Sequence, residues 1–420
     1  MRLELPYGRE PIILKTENAA VIRSRIDELA GDRPGREIVE EAMAHPIGSP
    51  RLEELAVGKK DAVVIISDHT RPVPSRDILP PMLAALRRGN PDIDITLLVA
   101  TGCHRGTRVD ELERKLGSEI LLREKIVVHD AQDPASNVEI GTLPSGARLV
   151  IDRLAAETEL LVAEGFIEPH FFAGFSGGRK SVLPGICDRV TVLGNHCGAF
   201  IADEHARTGV LKDNPIHRDM VEAARMARLA YIVNVVINEK QRTAAAFAGD
   251  FEQAHLAGTK LLSRYCRVRP VPADIVVTTN GGAPLDQNLY QCVKGLTAAE
   301  ACVKPGGTII LCAEMADGAG GDFFYRLMRD CASPAVLYEE FGRVPQDETV
   351  PDQWQVQILC RVLMRARVIF VTRPEMRRTI EEMKMEYAPD IDTALSMAGT
   401  GSLTVIPNGI SVMVAAEEEA

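Results

Sequence analysis

The sequence predicts an α/β protein built from two Rossmann-like lobes with an active-site cleft between them. Three observations predict it. Short apolar runs alternate with amphipathic stretches along nearly the whole chain. The apolar runs are continuous rather than alternating, as expected of parallel strands covered on both faces. The alternation breaks once, at the proline-rich stretch 267–273, and then restarts. That places a boundary near residue 268, between an N-terminal lobe (1–267) and a C-terminal lobe (268–420).

Each element follows from its residues. The β-branched run 61–67 reads as a strand, and 76–88 as a helix stopped by Gly89. Residues 93–100 form the next strand, 109–116 a helix stopped by Gly117, and 125–129 a strand. The runs 159–163 and 231–237 continue the series, and 244–265 reads as largely helical. After the break, 274–279 is a strand, 289–303 a helix, and 308–312 and 366–372 strands. Two short runs, 403–406 and 410–414, flank a Pro407-Asn-Gly turn, and the acidic tail 417–420 reads as a solvated end.

Charge and composition exclude several classes. With 48 basic against 59 acidic residues the formal net charge is −11. Such a chain does not hold nucleic acid or an anionic membrane through bulk charge, so an anionic ligand needs a local cluster of donors. The N-terminal stretch is charged at positions 2, 4, 9 and 10 and lacks the apolar core of a secretion signal. No run approaches the roughly 18 apolar residues of a membrane span. The nine cysteines include no C-x-x-C pair, which excludes common zinc patterns and suits reduced thiols in a cytoplasmic protein.

In open α/β sheets ligands collect beyond the carboxyl ends of strands. Four predicted strands are followed there by polar, glycine-rich loops. These are Asp68-His-Thr-Arg71-Pro, Thr101-Gly-Cys-His104-Arg, the long stretch 164–181, and Asn280-Gly-Gly-Ala-Pro. Within 164–181, Gly174-Phe-Ser-Gly177-Gly178-Arg179-Lys180-Ser181 nearly fits a phosphate-cradling loop but has arginine where glycine must precede the lysine. Exposed backbone N–H groups at Gly177 and Gly178, with Arg179 and Lys180, would still hold an anion. The bland alternative is a turn carrying surface charges.

His104, His170 and His196 lie in or beside these loops. A lone histidine is usually structural, but three at one end of a sheet suit proton transfer or metal ligation. Gln291 and Lys294 share a helix face and could orient a carboxylate, unless that face is merely solvated. Trp354, the sole tryptophan, sits among polar residues and could cap a pocket. A competing reading takes Thr101–Gly106 as a dinucleotide loop and Tyr290-x-x-x-Lys294 as the catalytic pair of an NAD(P)-dependent dehydrogenase, although Arg108 replaces the loop's final glycine.

Five blocks together resemble the nickel-pincer-nucleotide lactate racemase family. They are Asp68-His-Thr-Arg71-Pro, Thr101-Gly-Cys-His104-Arg, Glu168-Pro-His170 through Gly185, Gly194-Asn-His196 and Gln291-Cys-Val-Lys294-Gly. Their order and spacing agree over essentially the whole chain. The resemblance implies racemisation or epimerisation of a 2-hydroxy acid by proton-coupled hydride transfer. It implies a pyridinium mononucleotide with two sulfur-containing arms, attached through Lys180, and Ni(II) held by the pincer and His196. Asp68, Arg71, Gly177 and Gly178 match positions near the cofactor. His104 and His170 match the paired acid/base residues. Lys294, Gln291 and Trp354 match substrate-pocket residues. It further implies cofactor-biosynthesis proteins as maturation partners. A non-catalytic carrier of the same cofactor would show the same motifs.

Overall fold

The computed structural model describes residues 1–29 and 31–415, so the tail read at 417–420 lies outside the described residues. In chain order, the strands of the two main sheets begin with β1 (Ala20–Val21), β2 (Asp61–Ser67), β3 (Asp94–Ala100), β4 (Lys125–Val128), β5 (Leu161–Phe166) and β6 (Leu229–Ile237). They continue with β7 (Thr243–Gly249), β8 (Ala273–Thr279), β9 (Val303–Cys312), β10 (Arg367–Val371), β11 (Glu386–Ala388) and β12 (Leu403–Ile406). The first sheet has the order β7-β6-β5-β2-β3-β4, parallel except for the antiparallel edge strand β7. The second has the order β11-β10-β9-β8-β12-β1 and is parallel throughout. Two α/β lobes are thus present.

The central strands are buried on both faces. Five consecutive side chains of β2, Ala62 to Ile66, are buried, and so is all of β5. Each fully buried valine or isoleucine contributes roughly 1.5–3 kcal/mol. Such runs carry no alternation that could fix register. Polar groups at the strand ends do so instead. Asp61 accepts from the Thr158 hydroxyl and the Glu159 N–H, while the Ser67 N–H donates to Glu164 at 3.3 Å. Helix α1 (Ser75–Gly89) covers this sheet with a stripe of Ile78, Leu79, Met82, Leu83 and Leu86.

Three expectations are corrected. The stretch 244–265 is not largely helical: β7 occupies 243–249, and the helix is confined to Gln253–Cys266. The alanines of 244–246 suit a helix, but Gln241 turns at φ 58° and sends them back along β6, where edge pairing outweighs propensity. The helix read at 289–303 ends at Glu300, and Val303 already begins β9. The N-terminal segment, assigned to the first lobe, packs on the second. Its hairpin (Arg2–Leu5 with Ile12–Lys15) buries Leu3, Leu5 and Leu14 against Ile275, Val277, Ile310 and Val405, and β1 then pairs with β12. The open edge of β12 and the bare face of that sheet need this cover, which no local pattern announces.

Candidate active site

The two lobes face each other across a cavity of about 700 Å³ at the carboxyl ends of their strands. The loop after β2 brings Asp68 and Arg71, and the loop after β3 brings His104. The stretch after β5 brings His170, Gly177 and Lys180. His196 caps the carboxyl end of α3 (Arg189–Asn195), and α2 (Val109–Leu116) precedes it in the chain. From the second lobe, Gln291 and Lys294 come from α5 (Leu289–Glu300), and Trp354 from α6 (Gln353–Arg365). Helix α4 is Gln253–Cys266. Ten of the eleven residues singled out from sequence line this one cavity; Gly178 does not.

The two histidines expected to move protons differ in setting. His104 is partly exposed, and its Nδ1 lies 2.7 Å from the buried Asp68 Oδ2. The other Asp68 oxygen accepts from Thr70 N–H and Oγ. Asp68 therefore has both oxygens engaged within the protein and orients the His104 ring, with the Nδ1 proton facing the carboxylate. The His104 partnership holds the Asp68 carboxyl well below the usual range against the opposing effect of burial. His170 is buried between Phe171 and Phe172, with ring centroids 5.0 and 4.5 Å away. Its Nδ1 accepts the Ala173 N–H at 3.3 Å, which leaves the ring proton on Nε2. Burial, reinforced by Lys180, Lys294 and Arg71, keeps this imidazole neutral far below its ordinary pKa.

Three cations supply the local donors that the acidic chain requires. Arg71, Lys180 and Lys294 line the cavity, and among the described residues none has a carboxylate within salt-bridge distance. Burial lowers the Lys180 pKa well below its ordinary value, and Arg179, Arg71 and Lys294 add to the effect. Lys294 is lowered by burial and then Arg71, opposed by Glu168. Glu168 is itself raised by burial and held back by Lys294.

Arg179 departs from the sequence reading. Rather than offering a donor to an anion beside Lys180, it is 1% exposed and turns into the first lobe. Its guanidinium donates to the carbonyls of Phe175 (2.7 Å), Gly177 (3.3 Å) and Ala173 (2.6 Å) and to His217 Nδ1 (3.0 Å). His255 Nε2 lies 3.1 Å away but donates its own proton to Ser176 O, so that approach is packing rather than a bond. Gly178 also has a structural duty. Its N–H donates to Asn234 Oδ1 at 2.6 Å, and at φ 53° a Cβ would stand 2.7 Å from the His255 ring. Gly177, at φ 77°, remains in the cavity wall. The phosphate-loop look of 174–181 thus arises from a loop wound around a buried arginine.

His196 is 4% exposed, its Nδ1 has no hydrogen-bond partner, and burial lowers its pKa to about 3. Its ring meets Phe172 and Trp354 edge-on at 5.0 and 5.1 Å. Trp354 Nε1 donates to Tyr290 Oη at 2.9 Å, and burial pushes that phenol well above its ordinary pKa. Burial thus works against an activated tyrosine of the dehydrogenase kind. Sequence reasoning missed Glu164 and Asp352, both in the cavity wall. Glu164 lies inside β5 rather than at the start of the loop that the sequence predicts. Its Oε1 accepts from Ser67 and Ser75 while Oε2 is buried without a partner. A polar residue interrupting an all-apolar parallel strand was the available signal.

An α/β fold of two lobes, with three imidazoles and three basic side chains converging between them, has the make-up of a small-molecule site. The comparisons with known proteins specify it. Residues 7–209 match the lactate racemase N-terminal domain and residues 268–414 the lactate racemase C-terminal domain. Lactate racemase from Thermoanaerobacterium thermosaccharolyticum is 47% identical over 98% of this chain and 99% of its own. Lactate racemase from Lactiplantibacillus plantarum is 46% identical over the same shares. The apoprotein structure of the former superposes with a TM-score of 0.95, covering 99% of this chain and 100% of that one. A Thermotoga maritima protein at 20% identity and a TM-score of 0.71, covering 90% of this chain and 98% of its own, shares the fold. The chain belongs to the lactate racemase family and is an enzyme of the isomerase class. Among the described residues, no helix is long and apolar enough to cross a membrane.

Proposed function

We propose that the protein interconverts the enantiomers of lactate, or of a related small 2-hydroxycarboxylate, with a nickel pincer nucleotide attached at Lys180 and its nickel held by His196. The observation that carries the reading is the orphaned His196 Nδ1, buried beside the same cavity as Lys180, His104 and His170. Among the described residues no group of three or more His, Cys, Asp or Glu could hold a metal ion. His196 would then be the single protein ligand, and the nucleotide's own sulfur and carbon atoms would complete the set. A neutral imidazole is the coordinating form, and burial keeps His196 neutral. The lowered Lys180 pKa favours the free amine, the form able to make a covalent attachment. Arg71, in the same cavity wall, would meet the nucleotide's phosphate. When bound, the nucleotide supplies an acceptor for hydride from the substrate's C2 and returns it to either face.

The chain's own residues do the rest. Lys294 and Gln291 hold the carboxylate, which fixes C2 and its hydroxyl. One histidine removes the hydroxyl proton from one enantiomer, and the other returns a proton to the oxygen of the planar 2-oxo acid. Mirror-image substrates place that hydroxyl on opposite sides, so a single imidazole cannot serve both. With its proton on Nε2, His170 is set to donate to the substrate oxygen, while the Asp68 carboxylate stabilises a proton gained by His104. Phe171, Phe172 and Trp354 keep water from the reacting carbon. Loading of the nucleotide requires the proteins that synthesise it. The test is conversion of single-enantiomer lactate by protein matured with those partners, read by chiral chromatography. His104→Ala and His170→Ala should lose turnover yet retain the adduct. No turnover of any short 2-hydroxy acid by nickel-loaded protein would overturn the reading.

A further inference from the structure

The cavity is electrically lopsided. Arg71, Lys180 and Lys294 lie near one another, and Asp352 lines the same cavity close to His104 and Tyr290, with Trp354 two residues further along the chain. Asp352 directly precedes α6 in the left-handed conformation at φ 63°, and its side chain makes none of the usual capping bonds to that helix. It turns away, and Oδ2 accepts only the Phe324 N–H, at 3.3 Å. A Cβ at Gly321 would lie 2.8 Å from that oxygen, so glycine is what lets this loop close over the carboxylate. Among the described residues no cation stands within salt-bridge distance of Asp352. Burial raises its pKa, and the Phe324 N–H and His104 oppose the rise.

A 2-hydroxy acid has three directions at C2 besides its hydrogen. Lys294 and Gln291 claim the carboxylate and the histidines claim the hydroxyl. The remaining substituent is left to the wall of Trp354, Tyr290 and Asp352. We infer that Asp352 is a specificity-determining residue: its unpaired carboxylate faces the substrate's C2 substituent, accepts neutral groups such as methyl or hydroxymethyl, and rejects a second carboxylate. Like charges brought together in a partly desolvated site disfavour binding strongly, and rejection of this kind needs no contact optimised for the preferred substrate.

The inference rests on the racemase reading, and its test separates the two. Malate and its 4-amide (the side-chain carboxylate replaced by carboxamide) are nearly the same size and differ by one charge. Holoenzyme should favour the amide over malate in kcat/KM. Asp352→Asn should shrink that preference by about tenfold or more. Asparagine tolerates the left-handed backbone, and Asp352→Gly serves as a second variant that relaxes it entirely. Independent of turnover, the sole tryptophan lies in this wall, so its fluorescence should report binding of each acid to the unloaded protein with the same order of preference. A preference unchanged to within about threefold in both variants overturns the inference. If the holoenzyme turns over neither acid, turnover of lactate decides the racemase reading and the fluorescence titrations decide the role of Asp352. Absence of any charge discrimination there overturns it as well.

Discussion

Replacing Arg179 tests whether the Lys180 loop is built as described. The guanidinium makes four hydrogen bonds, three of them to carbonyls of residues 173–177, and is essentially fully buried. Burial lowers its pKa only to about 9, so it is charged at neutral pH. Arg179→Ala leaves those carbonyls unsatisfied and opens a void. Removing one partner from a buried, charged hydrogen-bond network costs on the order of 3–5 kcal/mol. At roughly 2 °C per kcal/mol for a large chain, Tm should fall on the order of 5–10 °C. Arg179→Lys, which keeps the charge but loses the planar fork, should fall between. The assay is thermal unfolding of the unloaded protein by circular dichroism, with and without inorganic phosphate. A surface anion donor would behave otherwise, with Tm unchanged to within about 2 °C and phosphate stabilisation abolished. That outcome would refute the buried-strut account.

Other expectations follow from the same geometry. Asp68→Asn removes a charge-assisted bond worth about 1.5–3 kcal/mol, discounted because His104 is partly exposed, so kcat/KM should drop about tenfold. The drop should be equal for both enantiomers, whose free energies are the same, and adduct formation should persist; both are read from progress curves and intact mass. Lys294 needs its proton to hold a carboxylate, and its pKa is lowered by burial and Arg71. KM should therefore rise with pH well before the ordinary lysine value of about 10.4, whereas Lys294→Arg should hold KM flat through that range. Glu164 has a raised pKa caused by burial and an unpartnered Oε2. The isosteric Glu164→Gln should thus change Tm by less than about 2 °C, while Glu164→Ala, which strands Ser67 and Ser75, should lower it more.

Much of this was legible in the residues. Continuous apolar runs located β2, β3 and β6 almost to the residue, because strands buried on both faces leave little room for polar side chains. The loops beyond β2, β3 and β5 named six cavity residues, and four more lie on or cap helices. What escaped depends on partners distant in sequence. The crossing of β1 to the second sheet answers an open edge some 380 residues away. The strand at 243–249 is alanine-rich and takes its conformation from pairing with β6 and from the bridge of Gly249 to Ile47. Arg179 beside Lys180 looks like a second cation, and only the carbonyls folded around it show that it turns inward. Asp352 carries no motif, and its meaning comes from the wall it occupies.

The most direct measurement is intact and peptide mass of protein matured with the cofactor-synthesis proteins, together with nickel content. The account predicts an adduct on the peptide containing Lys180, about one nickel per chain, loss of both in Lys180→Ala, and loss of nickel with retention of the adduct in His196→Ala. Active protein with the mass of the bare polypeptide and no nickel would contradict it.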